Sequence, residues 1–467
     1  MSGFSTLNTA VTGLAAAQRA LDIAGQNIVN ANTAGYSRQR VTLVSAGSAT
    51  TATFHSGNNA TFGGVTIEDI TRVRDAFLEA TRAAAGSKQS ALTAQTSALS
   101  SAQTLLSEPG DNGLQAALDD FYGAWHDLAT SPGTSSNGSV VIEKGAKVTT
   151  QLQYIGDGLS AEWNNNHANL ASVVSQTNQA ASDLASLNGQ IASGTVAGRP
   201  VNELLDKRDQ LVRKLGDLVG GTAIPGADNT VSVSVNGITL LSGTAAQTLT
   251  LSGGNDISTA AASPPTIYWG TTPVPVEGGS AAGLLASLRT DLPKISSAVD
   301  AVAVSLRDAV NTVFATGYDQ GGNTGGAFFT GDSAITLSVV PTDPSQLAIA
   351  SAAGIADGSI ARKIADLSIN ANASVVLGGA ESPSQRWQDL TVAVGVQVQS
   401  LKNASTVQDS VVAAADDAVQ SDAGVSLDEE MTSLLLFQRS FQAASRVITT
   451  VDEMMDTLVN RTGMVGR

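Results

Sequence analysis

Few residues of this chain are spaced for chemistry. The nearest approach to a metal loop is Asp319-Gln320-Gly321-Gly322-Asn323-Thr324-Gly325, where oxygen donors cluster as they do around calcium. It has Thr324 where the sixth loop position needs glycine, and Thr330 where the twelfth needs a carboxylate. A tight turn is the better reading. His55, His126 and His167 are scattered, without the paired spacing of a metal site. His126, beside Trp125, reads as a satisfied surface histidine. Cysteine is absent, which excludes disulfides and thiol catalysis. No H-E-x-x-H, G-x-S-x-G or phosphate-binding loop occurs. Asp206, Arg208 and Asp209 are charges on a helix whose apolar face is Leu204, Leu205, Leu211 and Leu215. They read as salt-bridge partners. The expectation is therefore no catalytic, cofactor-binding or metal site, and no enzyme.

Composition narrows the remaining classes. A net charge of −16 argues against nucleic acid, which needs a basic surface, and against docking on anionic lipid. No run approaches the ~18 apolar residues of a membrane span. The first basic residue is Arg19, and Asn8, Thr9 and Thr12 interrupt any apolar core, so no secretory signal is legible. At face value the chain is cytoplasmic, unless a signal-independent export route reads a disordered N-terminus. Aromatics make up 4% of the residues, which favours alanine-rich helical bundles and thin β layers over a large aromatic core.

What the chain does carry is association chemistry at its two ends. Leu7, Leu14, Leu21 and Ile28 recur every seven residues, with Val11 on the same seam and Ala10, Ala17, Ala24 and Ala31 in an adjacent column. At the other end Leu427, Leu434, Phe441, Ile448 and Met455 recur every seven, beside Phe437, Ala444, Val451 and Leu458, with Met431 between. A sustained heptad keeps one narrow seam on a helix, and that seam needs a partner helix. Burying Leu7, Leu14, Leu21 and Ile28 would contribute about 1.5–3 kcal/mol each. Ordering each backbone residue costs about 1–2 kcal/mol before hydrogen bonds offset it. Gly3, Gly13 and Gly25 weaken the first helix further. Both ends are therefore expected to be mobile in the monomer and to fold when subunits assemble.

Between the seams the pattern is mainly α with a β insertion: a long helical bundle and coiled coil from both termini, plus a small central β-rich domain. Residues 1–40 and 424–467 form the terminal seam helices. Residues 41–220 and 355–423 form a helical bundle domain, and 221–354 a β-rich insertion with an intervening helix at about 281–314. Within the bundle, 40–70 reads as extended, and helices are expected at Phe77–Leu106, Leu114–Leu128, around Trp163, Leu170, Leu184 and Ile191, and at Val201–Val219. Asn236-Gly237, between alternating Val231, Val233, Val235 and Ile238, Leu240, is a hairpin signal. Ser426 with Glu429 reads as a capping box for the last helix.

The segment Asn27-Ile28-Val29-Asn30-Ala31-Asn32-Thr33-Ala34-Gly35-Tyr36-Ser37-Arg38-Gln39 reads as a helix end and turn. It resembles the N-terminal signature of bacterial flagellar axial proteins, shared by rod, hook and hook-associated subunits. The residues carrying that likeness are Asn27, Asn30, Asn32, Thr33, Gly35, Tyr36 and Arg38. The helical block from 70 to 220 is similar to that of the FlgK family of the hook–filament junction. So are Asn202-Glu203-Leu204-Leu205-Asp206-Lys207-Arg208-Asp209-Gln210-Leu211, Gly317-Tyr318-Asp319 through Phe328-Phe329, and Gly424-Val425-Ser426-Leu427-Asp428-Glu429-Glu430 leading into Phe437-Gln438. Longer family members carry a further β domain after the position of Phe328-Phe329, where this chain has about twenty residues before the helical return.

The resemblance implies a structural subunit exported unfolded by the flagellar type III apparatus, without a cleavable signal peptide, and located in the extracellular flagellum. Its implied partners are the hook protein, the second hook–filament junction protein, further copies of itself in a ring, and a cytoplasmic export chaperone. Chaperone binding falls to the C-terminal seam, where Leu427, Met431, Leu434, Phe437 and Phe441 form an apolar stripe. A hook or rod subunit is the alternative within this class. An adhesive module in the central β region is the alternative outside it, favoured if Tyr268 and Trp269 are exposed.

Overall fold

The structure is a computed structural model describing residues 3–33, 35–46, 63–106, 108, 110–111, 113–355 and 357–457. His55 and Leu458 lie outside the described residues. The chain begins with helix α1 (Gly3–Asn30), then the antiparallel strands β1 (Gln39–Ser45) and β2 (Val65–Arg72). Helices α2 (Ala76–Leu106), α3 (Leu114–Thr130), α4 (Ser135–Val196) and α5 (Asn202–Val219) follow.

Helix α4 is the spine. Its 62 residues extend about 93 Å at 1.5 Å per residue. Trp163, Leu170, Thr177, Leu184 and Ile191 are all buried and fall every seven residues, so one stripe faces its neighbours along the whole lower half. Helices α3 and α5 both pack against that spine, α5 along its C-terminal end at Leu187 and Ile191.

The β region is two small antiparallel sheets. One joins β3 (Thr222–Pro225), β4 (Val231–Val235), β5 (Ile238–Ser242) and β6 (Ala245–Ala246) in sequence order. The other joins β7 (Leu249–Ser252), β8 (Thr266–Trp269) and β9 (Thr272–Pro273). Asn236 and Gly237 make the expected β4–β5 turn, both at positive φ (45° and 84°). Two asparagines of α4 bind both sheets to the spine. Asn188 donates to the carbonyls of Val231 and Gly243 (both 2.7 Å) and accepts from the Val231 amide. Asn178 makes the same paired contact with Leu249 (both 2.8 Å). Tyr268 is half-buried, and the partly exposed Trp269 donates its indole N–H to Gln247 (2.9 Å).

Helices α6 (Gly279–Ala286) and α7 (Leu292–Phe314) run on through a π turn at Ser287–Asp291. Trp163 donates to the Leu288 carbonyl there (3.0 Å). This helix packs on α2, α4 and the later helix at Pro383–Ala423. The segment expected as an intervening helix of the insertion is thus a member of the helical layer, because its buried stripe (Leu288, Ile295, Val299, Val302, Leu306, Val313) meets helices. The short strands β10 (Phe329–Thr330) and β11 (Ser338–Val339) precede α8 (Ser359–Ala365), α9 (Asn370–Val376), α10 (Pro383–Ala423) and α11 (Leu427–Asp456).

The Gly317–Phe329 motif serves the core. Asp319 accepts from the Asn323 backbone N–H (2.8 Å) and side chain, which closes the turn and holds the carboxyl below its usual range. A Cβ at Gly325 would collide with the Phe314 carbonyl. The close return lets Asn311 accept from the amides of Phe328 and Phe329 (2.8 and 3.0 Å). Their rings then pack with Phe121, Trp125 and Phe314 at centroid separations of 5.3–5.7 Å.

Candidate assembly interface

Helices α1 and α11 pair along their lengths. The end of α1 meets the start of α11, where Asn27 bonds Glu430 (3.0 Å), so the pair is antiparallel. Alanines occupy the centre of the contact. Ala10, Ala16, Ala17, Ala20 and Ala24 are buried together with Ile23 and Asn27. The expected seam residues Leu7, Leu14, Leu21 and Ile28 are half-buried at its edge, and Val11 is exposed. Small side chains let the helix axes approach closely and push large ones outboard. On α11, Leu434, Phe437, Phe441, Ile448 and Met455 are half-buried against α1, while Val451 is buried.

One polar cluster interrupts this apolar contact, and it contains much of the signature turn. Asn27 is 1% exposed. Its amide donates to the Gln39 carbonyl (2.9 Å) and to Glu430 Oε2 (3.0 Å). Its carbonyl accepts from Tyr36 Oη (2.8 Å) and the Gln39 amide (2.9 Å). All four hydrogen-bonding positions of the side chain are used. Arg38 Nε donates to the buried Glu430 (2.7 Å), and its Nη1 to Glu429 (2.9 Å). Glu429 therefore bridges to Arg38, while Ser426 alone caps α11. Burial raises the Tyr36 phenol to about 12, helped by Asp206, Glu430 and Glu203.

The rest of the turn shapes the chain. Asn30 bonds back to the Gln26 carbonyl (3.0 Å) and accepts from Thr33 (3.2 Å), and Asn32 is exposed. Gly35 has φ +79°, and a Cβ there would strike the Gln210 side chain of α5. Glycine meets both demands.

A second cluster fixes the β1–β2 arm on α5. Arg72 and Arg74 lie two residues apart at the end of β2, and Asp206 and Asp209 lie three apart on α5, so each pair can share a face. Arg72 Nη1 lies 2.8 Å from both Asp206 and Asp209, and Arg74 Nη1 lies 2.7 Å from Asp209. Arg208 folds onto Asp209 (2.8 Å), and Asn202 donates to Gln39 (3.1 Å) and to the Ile70 carbonyl (2.8 Å). Burial opposes the Asp209 charge, but Arg208, Arg74 and Arg72 outweigh it and hold that carboxyl below its usual range. The Asn202–Leu211 motif is thus the seat of the arm that carries the terminal helices.

The sequence reading missed Arg72 and Arg74, and saw Gln39 and Glu430 only as parts of motifs. The Arg-x-Arg spacing facing an Asp-x-x-Asp helix was the available signal. Nothing local distinguishes Glu430 from the exposed Glu429 beside it.

Large apolar residues of α11 remain uncovered on both sides of the α1 contact. Leu427, Met431 and Leu435 are about half exposed, and Leu436, Val447 and Met454 are 42–60% exposed. At about 100° per residue the first three lie on one flank of the contact and the last three on the other.

Family comparisons fall on these same elements. A model described as the flagellar hook-associated protein FlgK helical domain matches residues 99–329. The models for the flagella basal body rod protein and the flagellar basal body rod FlgEFG protein C-terminal match 7–36 and 419–461. Flagellar hook-associated protein 1 of Bacillus subtilis (strain 168) is 29% identical, with all of both chains aligned over 516 positions. The Escherichia coli (strain K12) protein of that name is 27% identical, with 98% of this chain and 99% of its own aligned. The chain belongs to the FlgK family of flagellar hook-associated proteins. It is a structural component of the flagellum, and the family's place is the hook–filament junction. A solved FlgK hook junction protein from Burkholderia pseudomallei shares the fold, with TM-score 0.64 at 16% identity over 74% of this chain and 99% of its own. The rod-type matches cover α1 with its turn and α11, whereas the FlgK match runs from the end of α2 through α7 and the β region between them. Aligned lengths exceed the 467 residues here, so these FlgK relatives carry insertions that this chain lacks.

Proposed function

We propose that this chain is a non-catalytic subunit that α1 and α11 join to the flagellar axis. It stands on the hook protein, supports the second junction protein and closes with further copies into a ring. The distribution of apolar side chains on α11 carries this reading. Helix α1 covers only the middle of that surface, and Leu427, Met431 and Leu435 on one flank, with Leu436, Val447 and Met454 on the other, suit terminal helices of neighbouring subunits.

The pair is also the labile part of the free subunit. Its centre is alanine, which buries little area, and its polar cluster joins residues some four hundred apart in sequence. Opening in the unassembled chain fits export through the type III apparatus to the extracellular flagellum without a cleavable signal. An export chaperone would then hold the apolar stripe Leu427, Met431, Leu434, Phe437 and Phe441, read as a helix in a groove.

Deletion of residues 1–40 or 424–467 tests the assignment. The remaining body should stay soluble and folded, because its core lies among α2–α10, yet fail to incorporate at the hook end in a strain lacking the native protein. Truncated protein that still supports filament growth would overturn it.

A further inference from the structure

We propose that Asn236 is a site of spontaneous covalent modification, in which its side-chain amide is lost to the Gly237 backbone nitrogen and the residue ends as aspartate or isoaspartate. The site is the tip of the β4–β5 hairpin, and it stands independently of the assembly reading above.

The chemistry needs an asparagine carboxamide, a following backbone nitrogen that can reach it, and water. Glycine suits the second position because it has no Cβ to hinder the approach. The chain holds four such pairs: Asn112-Gly113, Asn137-Gly138, Asn188-Gly189 and Asn236-Gly237. Asn112 lies outside the described residues, and tertiary structure separates the other three. Asn188 is fully buried, with its amide held by the Val231 and Gly243 carbonyls and by the Val231 N–H. Gly189 lies inside α4, where its nitrogen is a helix donor. Asn137 is exposed on the first turn of the same helix. The Gly138 N–H beside it donates to the Thr134 carbonyl (3.2 Å), so attack there would undo the start of α4.

Asn236 and Gly237 differ on each count. Both are exposed, and neither the Asn236 side chain nor the Gly237 N–H has a hydrogen-bond partner among the described residues. A Cβ built on Gly237 would meet nothing within 4 Å, so the surroundings leave room for the ring that must form. The pair also lies outside the ladder, which begins at Val235 and Ile238. Local rotation at the tip therefore breaks no strand pairing.

The atoms balance with water alone. Hydroxide takes the Gly237 N–H proton, and the nitrogen attacks Cγ of Asn236. The N–Cγ bond forms, the Cγ–Nδ2 bond breaks, and ammonia leaves with a proton returned from water. Water then opens the cyclic imide at either carbonyl. Breaking the N–Cγ bond restores the backbone and leaves an aspartate. Breaking the bond to the backbone carbonyl carbon leaves the chain running through Cγ as isoaspartate. Nothing is oxidised or reduced. A two-residue turn has no slack for the extra backbone carbon, so the misfit falls on Val235 and Ile238. Val231, held by Asn188 at the other end of β4, stays in place.

Purified full-length chain, held at mildly alkaline pH and digested at intervals, tests this. The peptide carrying Asn236 should gain about one dalton as NH2 is exchanged for OH. Peptides carrying Asn137 and Asn188 should gain it at least about tenfold more slowly, because their reaction waits on local unfolding. That gap should close in denaturant, where the three sites share only their Asn-Gly sequence. Hydroxylamine, which cleaves the imide, should cut ageing chain between Asn236 and Gly237. Asn236→Asp, with its ordinary backbone, should keep wild-type hydrogen exchange at Val235 and Ile238, while chain aged to isoaspartate exchanges faster there. Native conversion at Asn137 or Asn188 as fast as at Asn236, or an Asn236 peptide that stays intact while denatured chain converts, overturns the proposal.

Discussion

Replacing Arg72 with methionine should loosen the β1–β2 arm far more than replacing its partner Asp206 with asparagine. The Arg72 and Asp206 side chains are only 8% and 9% exposed. Without Arg72, Asp206 keeps only the Ser37 amide, at 3.4 Å, among the contacts of this cluster. Asp209 still has Arg74 and Arg208. Removing one partner of a buried pair costs about 3–5 kcal/mol, because the other charge stays desolvated. In Asp206→Asn, Arg72 remains bonded to Asp209 at 2.8 Å, so the loss falls to about 1 kcal/mol. The double variant Arg72→Met, Asp206→Leu removes both charges and should recover most of the single-variant loss.

Global unfolding of a multi-element chain is a poor reporter. Native-state hydrogen exchange at the amides of Gln39–Ser45 and Val65–Arg72 reads the arm directly. At 1.36 kcal/mol per decade, Arg72→Met should speed exchange there by roughly two to three and a half orders of magnitude, and Asp206→Asn by about one. The two single variants behaving alike, or the double variant being as loose as Arg72→Met, would refute the account of an uncompensated buried charge.

Two further outcomes follow from the terminal pair and one from the arm cluster. The unfolded Tyr36 phenol ionises near pH ~10 and the folded one at about 12, so its contribution to stability is complete below the first value and lost as pH rises through the second. The difference in tyrosinate absorbance between wild type and Tyr36→Phe should therefore titrate near 12, and a midpoint near 10 would count against a buried Tyr36–Asn27 bond. At the acid end Asp209, held low, should lose its contribution as pH falls through its folded value. Leu434→Ala with Phe437→Ala should weaken binding of the purified export chaperone, since each buried anchor removed costs about 2–4 kcal/mol. Calorimetry showing unchanged affinity, or full affinity after removal of residues 424–467, would move the chaperone site elsewhere.

Sequence periodicity determined which segments are helical at both ends, where α4 needs its partners, and where Asn236-Gly237 reverses the chain. These are local properties: a heptad or an alternation is set by residues a few positions apart. The signature turn was equally legible, because Gly35 and the asparagines around it advertise unusual backbone angles. Tertiary structure decided which column of each seam is central. The leucines of α1 predict burial by hydrophobicity alone, but the close approach to α11 gives the centre to Ala10, Ala17 and Ala24 and leaves the leucines at the edge. Glu430 became a buried partner of Asn27 and Arg38 only through contacts spanning most of the chain. Arg72 and Arg74 found Asp206 and Asp209 in the same way. A side chain's periodicity is written in its own element, whereas its burial and its counter-charge belong to whichever distant element the fold brings against it.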